Sequence, residues 1–575
     1  MEKNKSPKLS LFWSRLEGFY SSFKKSKWRY LAYFALFVTY LYIYFFALCG
    51  VPSWDDAVFA YRNESGHLLS FWIMMSSIIL AVLYLIYKAA RRTITFSSVS
   101  KAIIFIALNA MVYYGFSIPV NSSYNKNDWW VGTHQGSHWE IVVHMWDEGP
   151  FAAPPLKADG TYDIANQYYQ QKLWHYSVTL WAKFHNLFFG SVSSEPIPYF
   201  VSKGWDNFTY RMDLAFETIK IFQAMTGFWL YFFTYKIFER FGLKGWRLTL
   251  ATFLFCFLPF YAYLPFIYNN DAMSLMFALM SLYFALRYYK SEKLLDLIIT
   301  AVAMGLGMMS KINAVLFALP IAFIFLHDLI TKIRYKEGVN KFIFQMCIFA
   351  LIVFPLGLWY PIFEKVAYNE PFGYVLYPGN ELSGNYINSS FFGVYDRFIG
   401  IFTSDFFTSP YKRDWGATSP ASYGNIDFNI WTGLFKTALF GDCIVDSWSE
   451  GPLSYVAKAT PFIQTFWLMA ILAFFILLGT KLFSLLLFGF KKANYSMVIL
   501  MAIFFFTAYI NYLAFCIGFP FTSTMHFRYA SMFIFPLFYV LSVRPSPIRE
   551  DDVPFKRQLE PIERFAYIEV LGGQW

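Results

Sequence analysis

Residues 267–290 read IYNNDAMSLMFALMSLYFALRYYK, and residues 305–320 read GLGMMSKINAVLFALP. The first stretch is a run of about 20 mostly apolar residues, the length at which a helix crosses the hydrocarbon core of a bilayer. Asn269, Asn270 and Asp271 open it, and Arg287 and Lys290 close it. The second stretch turns two further apolar runs around Gly307, Ser310 and Lys311. Working outward, similar runs recur near 30–50, 69–88, 101–120, 213–238, 247–267, 294–309, 312–331, 342–363, 460–488, 495–517 and 527–543. The expected fold is therefore an all-α polytopic membrane protein with about 12 transmembrane helices.

Composition agrees. Of 575 residues 57% are hydrophobic and 15% charged, with a mean hydropathy of +0.40. Soluble chains average roughly 45–50% apolar and about 25% charged. A disordered scaffold, a disulfide-stapled secreted module and a single-pass receptor are excluded. The formal net charge of +10 does not point to nucleic acid, because the basic residues sit in short clusters between apolar runs, as orientation signals do. Cys49, Cys256, Cys347, Cys443 and Cys516 show no metal spacing and read as small core hydrophobes.

The basic clusters set a topology. Lys3, Lys5, Lys8, Arg15, Lys24, Lys25, Lys27 and Arg29 precede the first run, and no short cleavable h-region follows them. Lys88, Arg91, Arg92 and Lys101 come next, then Lys236, Arg240, Lys244 and Arg247. Arg287, Lys290 and Lys293 follow, and finally Lys332, Arg334, Lys336 and Lys341. All fall on one side when the spans number twelve, which predicts a multi-pass plasma-membrane protein with both termini cytoplasmic. The expected organisation is a basic N-terminal segment 1–29, three transmembrane helices in 30–120, an outer loop 121–212, a transmembrane core 213–363, a second outer loop 364–459, three last helices in 460–543 and a cytoplasmic tail 544–575.

Long loops are uncommon unless functional. The first outer loop contains WWVGTHQGSHWEIVVHMWDEG (129–149) and LWHYSVTLWAKFHNLFF (173–189). The second of these alternates apolar with basic or His positions at helical spacing and reads as a helix lying in the membrane interface.

Charge near lipid is costly, roughly 2.5–3.5 kcal/mol at mid-bilayer, so a charge kept there usually faces a protein interior or a wet cavity. Asp128 lies just after the third run, before Trp129 and Trp130. A catalytic base there needs an acceptor hydroxyl or amine within hydrogen-bond reach; the plainer reading is a solvated loop carboxylate beside an aromatic belt. His138, Glu140 and His144 share a short helix, but the HExxH order is absent and no metal is expected. Asn269, Asn270 and Asp271 read equally as helix caps or as an anion-attracting helix start. Lys311 either snorkels or meets a lipid phosphate as a point charge. Arg528, in MHFRYASMFIFP (525–536), either anchors the last span or grips a phosphate bidentately.

These residues, in this order, carry a family likeness. The chain resembles bacterial membrane glycosyltransferases of the GT-C fold, in the branch related to protein O-mannosyltransferases and lipid A aminoarabinose transferases. Residues 213–330 carry the likeness best, through LKGWRLTLATFLFCFLPFY (243–261), the Asn-Asn-Asp span opening and the Gly-rich Lys hairpin. NIWTGLFKTALFGD (429–442) is similar to the family's FKTSLFGE segment, and residues 525–536 to its DFRY-type final span. The likeness covers about 101–543.

The resemblance implies a GT-C-type bundle with interfacial helices in its outer loops, and an inverting single displacement at the outer face. In it, Asp128 matches the family's catalytic carboxylate. Lys311, Arg528 and Lys436, with Asn269, Asn270 and Asp271, are candidates for holding the phosphate of a polyprenyl-phosphate sugar donor. His138, Glu140, Tyr169, His175 and Trp129 are candidates for substrate contact. The donor carries one phosphate, so neither metal nor cofactor is implied. The partners implied are that donor, membrane lipid and an acceptor that is a lipid, glycan or protein. One stretch departs from the pattern: the family's Tyr-His-Pro-Pro-Leu is here Tyr169-Gln170-Gln171-Lys172-Leu173. The competing readings are a lipid-linked sugar flippase or transporter, a polysaccharide polymerase or ligase, and a non-catalytic relative.

Overall fold

The computed structural model describes residues 67–117, 138–149 and 170–189, then 213–369 with breaks at 257, 259, 262–263, 267–268 and 337. It further describes 387, 392–400, 427–440, scattered positions in 461–479, and 495–542. The chain divides between Trp72 and Ile73 into two units, and the architecture that follows belongs to the second. The run expected near 30–50 and the tail 544–575 lie outside the described residues.

Among the described residues the fold is helical and has no strands. The helices are α1 (His67–Ala90), α2 (Phe96–Ser117), α3 (His138–Glu148), α4 (Leu173–Phe189), α5 (Asp213–Arg240), α6 (Trp246–Cys256), α7 (Asp271–Ser291), α8 (Leu294–Ser310), α9 (Ala318–Tyr335), α10 (Val339–Tyr368), α11 (Ile430–Phe440), α12 (Tyr495–Gly518) and α13 (Ile534–Ser542). Four stretches are long and apolar enough to cross a membrane: Asp271–Ser291, Ile312–Tyr335, Val339–Tyr368 and Ile499–Gly518. The α4 helix falls on the stretch read as interfacial.

The bundle centres on α7. It packs against α5 on one side and α8 on the other, and α8 packs in turn against α10. Close approach of α8 to its neighbours requires glycine. A Cβ at Gly305 would stand 2.5 Å from Leu356 Cβ, and one at Gly307 would stand 3.1 Å from Ala314 Cβ. A second group joins α6 to α2 and α13. Phe535 of α13 locks the groups together, its ring 4.9 Å from Phe504, 6.0 Å from Phe238 and 6.2 Å from Phe317. Such aromatic pairs add about 0.5–1.5 kcal/mol beyond their area burial.

Two expected spans are not uniform α-helix over their described residues. In the run 247–267 the described helical residues are those of α6, Phe260 and Tyr261, and the 3-10 turn Leu264–Phe266; LeuPro pairs stand at 258–259 and 264–265, and proline inside a helix removes a hydrogen bond and clashes with the preceding turn. The run 527–543 begins as a 3-10 helix, Phe527–Phe533, before α13. The two runs are joined: Tyr261 Oη donates to the Ser531 carbonyl at 2.9 Å. Both runs carry a 3-10 turn at the cavity beside Asp271, which Phe260, Leu264, Arg528, Ser531 and Met532 line.

Charges at the far end of α7 are paired. Arg287 meets Asp296 at 3.0 Å, and Lys332 meets Glu292 at 2.8 Å. Asp271 and Lys290 are separated by about 30 Å of helix at 1.5 Å per residue, the depth of a hydrocarbon core.

Candidate functional site

Asp271 occupies the first turn of α7, yet it does not serve as the helix cap. The Asp271 N–H is taken by Asn269 Oδ1 at 3.0 Å, a local turn. Asn270, at the cap position, makes no capping hydrogen bond. Its Nδ2 donates instead to the Ser310 carbonyl at 2.7 Å and to Gln170 Oε1 at 2.9 Å. The three-residue opening thus faces outward from its own helix, toward the hairpin and the first outer loop.

The Asp271 carboxylate receives two cations. Lys311 Nζ lies 2.7 Å from Oδ1, and Arg528 Nη1 lies 3.6 Å from Oδ2. All three side chains are more than four-fifths buried. Lys311 reaches the site because α8 ends at Ser310 and Lys311 is extended before the 3-10 turn Ile312–Phe317. Ser274, one turn along α7, donates to the Gly307 and Lys311 carbonyls, both at 3.2 Å, which fixes the hairpin to the helix. Arg528 reaches it from its own 3-10 helix, whose start is capped by His526: Nδ1 accepts from the Arg528 N–H at 3.0 Å. The Tyr529 ring centre lies 5.8 Å from Lys311 Nζ and 5.0 Å from Arg528 Cζ, so one aromatic ring serves both cations. One carboxylate between two cations leaves the triad with a net charge of about +1, an electrostatic preference for an anion. The adjoining cavity, about 40 Å³, is polar at Asp271, Asn313 and Arg528 and apolar along Leu275, Ala278 and Phe317.

Residues 170–172 with helices α3 and α4 adjoin this triad. Residues 170–172 lead into α4, and α4 packs on α3 and α5. Gln171 Oε1 accepts from the Ile312 N–H at 3.0 Å. Trp174 Nε1 donates to Gln223 Oε1 at 3.2 Å, and Gln223 Nε2 donates to the Asn269 carbonyl at 3.4 Å. His138 of α3 and His175 of α4 are buried with Nδ1 and Nε2 2.9 Å apart. That bond needs one N–H and one lone pair, which two neutral rings supply. Burial, reinforced by Lys311, Arg528 and Lys172 against a partial offset from Asp271, holds His138 down to about 3. Burial, His138 and Lys172 hold His175 well below the usual histidine range. Lys172 is also buried and is lowered to about 7 by its desolvation, against the pull of Glu364.

The structure thus gathers Asn269, Asn270, Asp271, Lys311, Arg528, His138 and His175 in one region. Lys436 is elsewhere engaged: its fully buried ammonium meets Asp427 Oδ1 at 3.0 Å on α11. That helix adjoins the Arg528 segment through Thr437, whose Oγ1 accepts from the Phe527 N–H at 2.8 Å. Glu140 lies within α3. Asp128, Trp129 and Tyr169 lie outside the described residues. Among the described residues no group of three His, Cys, Asp or Glu side chains stands where it could share a metal ion. Sequence reading passed over Gln170, Gln171, Gln223, Ser274 and Tyr529, all uncharged. Only the departure of 169–173 from the family pattern marked the first two.

Residues 212–359 match the family described as dolichyl-phosphate-mannose-protein mannosyltransferase. The match falls on the stretch, 213–330, that carries the likeness in the sequence, and it supports a GT-C mannosyltransferase-like family. It includes Asp271 and Lys311 but neither Arg528 nor the His pair. The match spans 148 of the 575 residues. No curated protein and no solved structure matches the chain.

Proposed function

We propose that this chain moves a sugar from a polyprenyl-phosphate donor to an acceptor at the outer face of the membrane. The observation that carries the reading is the Lys311–Asp271–Arg528 triad, buried at the start of a helix long enough to cross a bilayer. Lys311 and Arg528 hold the donor phosphate, with Asp271 fixing both cations in place. Asn269 and Asn270 shape the opening, and the apolar wall of Leu275, Ala278 and Phe317 takes the first carbons of the lipid. His138, Glu140, Tyr169, His175 and Trp129 are assigned to sugar and acceptor contact, and Lys436 to support of the Arg528 segment.

The reaction is one displacement. Asp128 takes the proton of the acceptor hydroxyl or amine, whose lone pair attacks the anomeric carbon. The anomeric C–O bond to phosphate breaks, polyprenyl phosphate leaves with the electron pair, and the configuration inverts. Charge grows on the leaving oxygen, and a fixed donor aimed at such charge in a water-poor site contributes about 2.7–4 kcal/mol. Lys311 and Arg528 fill that role.

Membranes carrying the expressed chain, incubated with radiolabelled polyprenyl-phosphate sugars, are expected to pass label to an extractable acceptor. Asp128→Asn is expected to abolish the transfer. Undiminished transfer by that variant overturns the base assignment, and transfer only from a lipid diphosphate glycan overturns the donor. Export of labelled lipid without transfer supports a flippase instead.

A further inference from the structure

The run Gln170-Gln171-Lys172 stands where the family pattern has His-Pro-Pro, and the geometry points to a purpose for the change. We infer that Gln170 and Gln171 are positioning residues that clamp the Asp271–Lys311 pair from both sides. The inference rests on the reading of that pair as the donor-phosphate site.

Each glutamine binds the immediate neighbour of one partner. Gln170 Oε1 accepts from Nδ2 of Asn270, the residue before Asp271. Gln171 Oε1 accepts from the backbone N–H of Ile312, the residue after Lys311. The oxygen assignment at Gln171 is forced, because a backbone N–H only donates. Asn270 spends its other Nδ2 hydrogen on the Ser310 carbonyl. Ser310, Lys311 and Ile312 are consecutive, so the clamp grips both flanks of Lys311 and the near flank of Asp271. Neither of the family's prolines offers a side-chain acceptor here.

The bonds add to a Lys311 backbone already held at its carbonyl, which accepts from Ser274 Oγ at 3.2 Å and from the Ala314 N–H at 3.1 Å; Gln171 fixes the amide that follows. Lys311 lies between α8 and a 3-10 turn, in extended geometry, and its own N–H reaches back to the Gly307 carbonyl at 2.9 Å. A side chain with four rotatable bonds on an extended residue needs its backbone fixed before its ammonium can be aimed within tenths of an ångström. Gln171 is itself buried and sits one turn before His175 and α4, so the clamp is anchored in the first outer loop. The loop and the triad are therefore one mechanical unit.

The test has readouts that do not need activity. Hydrogen exchange by mass spectrometry on the full chain in detergent reports the Ile312 amide, and amine-reactive labelling reports Lys311. Gln171→Leu is expected to speed exchange at Ile312 at least tenfold and to raise Lys311 labelling severalfold. Gln171→Glu, which still accepts, is expected to keep both within about threefold of the parent. Gln170→Ala, a milder variant, is expected to raise Lys311 labelling alone. In the transfer assay Gln171→Leu is expected to lower kcat tenfold or more while Gln171→Glu retains it, at unchanged Tm. Unchanged exchange and labelling in Gln171→Leu overturn the clamp. Faster exchange with undiminished transfer overturns its positioning role. A parent chain that transfers no sugar from any polyprenyl phosphate defeats the donor reading alone, and the exchange and labelling still decide the clamp.

Discussion

At the scale of single residues, the triad behaves as one charge system, and its members fail differently. Removing Asp271 leaves Lys311 and Arg528 facing each other in a buried site. Breaking a buried pair in this way typically costs about 3–5 kcal/mol. Asp271→Asn is expected to lower the midpoint of thermal unfolding in detergent by a margin of that order. Lys311→Ala removes a donor to the phosphate, and a transfer loss of about 10²–10³ in kcat is expected, measured with saturating donor. The imidazole pair supplies a pH dependence with a definite sign. His138 is held at about 3 in the folded chain against an ordinary 6.5. Between those values the unfolded chain binds the extra proton, so stability falls as the pH drops below about 6.5. From pH 6.5 to 4.5 one such group costs about 2 kcal/mol. Midpoints measured across that range should decline in the parent and decline less in His138→Gln. Much of this site was legible from sequence because a charge in an apolar run is an anomaly: Asp271, Lys311 and Arg528 stand out. Gln171 and Gln223 do not, since an uncharged amide in a loop or a helix disturbs no hydropathy pattern. Lys436 stood out too, but its partner Asp427 lies nine residues away, just before the start of α11, a pairing no local pattern reveals.

At the scale of elements, periodicity and run length located most helices, because α7, α8, α10 and α12 are apolar over nearly their whole length. The same signal missed the interruptions. Hydropathy does not register a change of backbone geometry, so the 3-10 turns at Leu264–Phe266 and Phe527–Phe533 read as ordinary span. Packing between elements is equally hidden in sequence and yields its own test. A methyl at Gly305 collides with Leu356 Cβ at 2.5 Å, an atom fixed to the backbone of α10, whereas one at Gly357 meets Met308 Sδ at 2.8 Å. Methionine re-packs easily. Overpacking costs about 1–3 kcal/mol where nothing can move, so Gly305→Ala should lower the unfolding midpoint clearly more than Gly357→Ala. The α4 helix is readable in both its faces. Trp174, Val178 and Ala182 are buried, while Leu180, Phe184 and Leu187 are exposed, Leu187 at 78%. An apolar stripe left outside the protein belongs in lipid. A fluorophore on a cysteine at Leu187 should be quenched by nitroxides placed near the lipid headgroups, and quenching absent there would place the helix away from the membrane.

At the scale of the whole molecule, the number and direction of crossings carry the testable consequence. Four described stretches are long and apolar enough to cross alone, and the topology of twelve rests on the basic clusters. The two ends of α7 tie that topology to the chemistry. Asp271 and the outer-loop helices stand at one end, Arg287 and Lys290 about 30 Å away at the other. If the clusters mark the cytosol, a lipid-linked sugar meets the triad only from the outer leaflet, and the carboxylate, the cations and the histidine pair all lie on the non-cytosolic side. A cysteine-free background, with Cys49, Cys256, Cys347, Cys443 and Cys516 replaced, allows the test. A cysteine at Glu148, which is exposed on α3, should react with an impermeant maleimide on intact cells. Cysteines at Lys290, Lys5 and Gln574 should react only after lysis. Labelling of Gln574 from outside would make the span count odd and break the agreement of the basic clusters. Labelling of Lys290 from outside would turn α7 over, place the triad in the cytosol and require a donor presented from the inner leaflet.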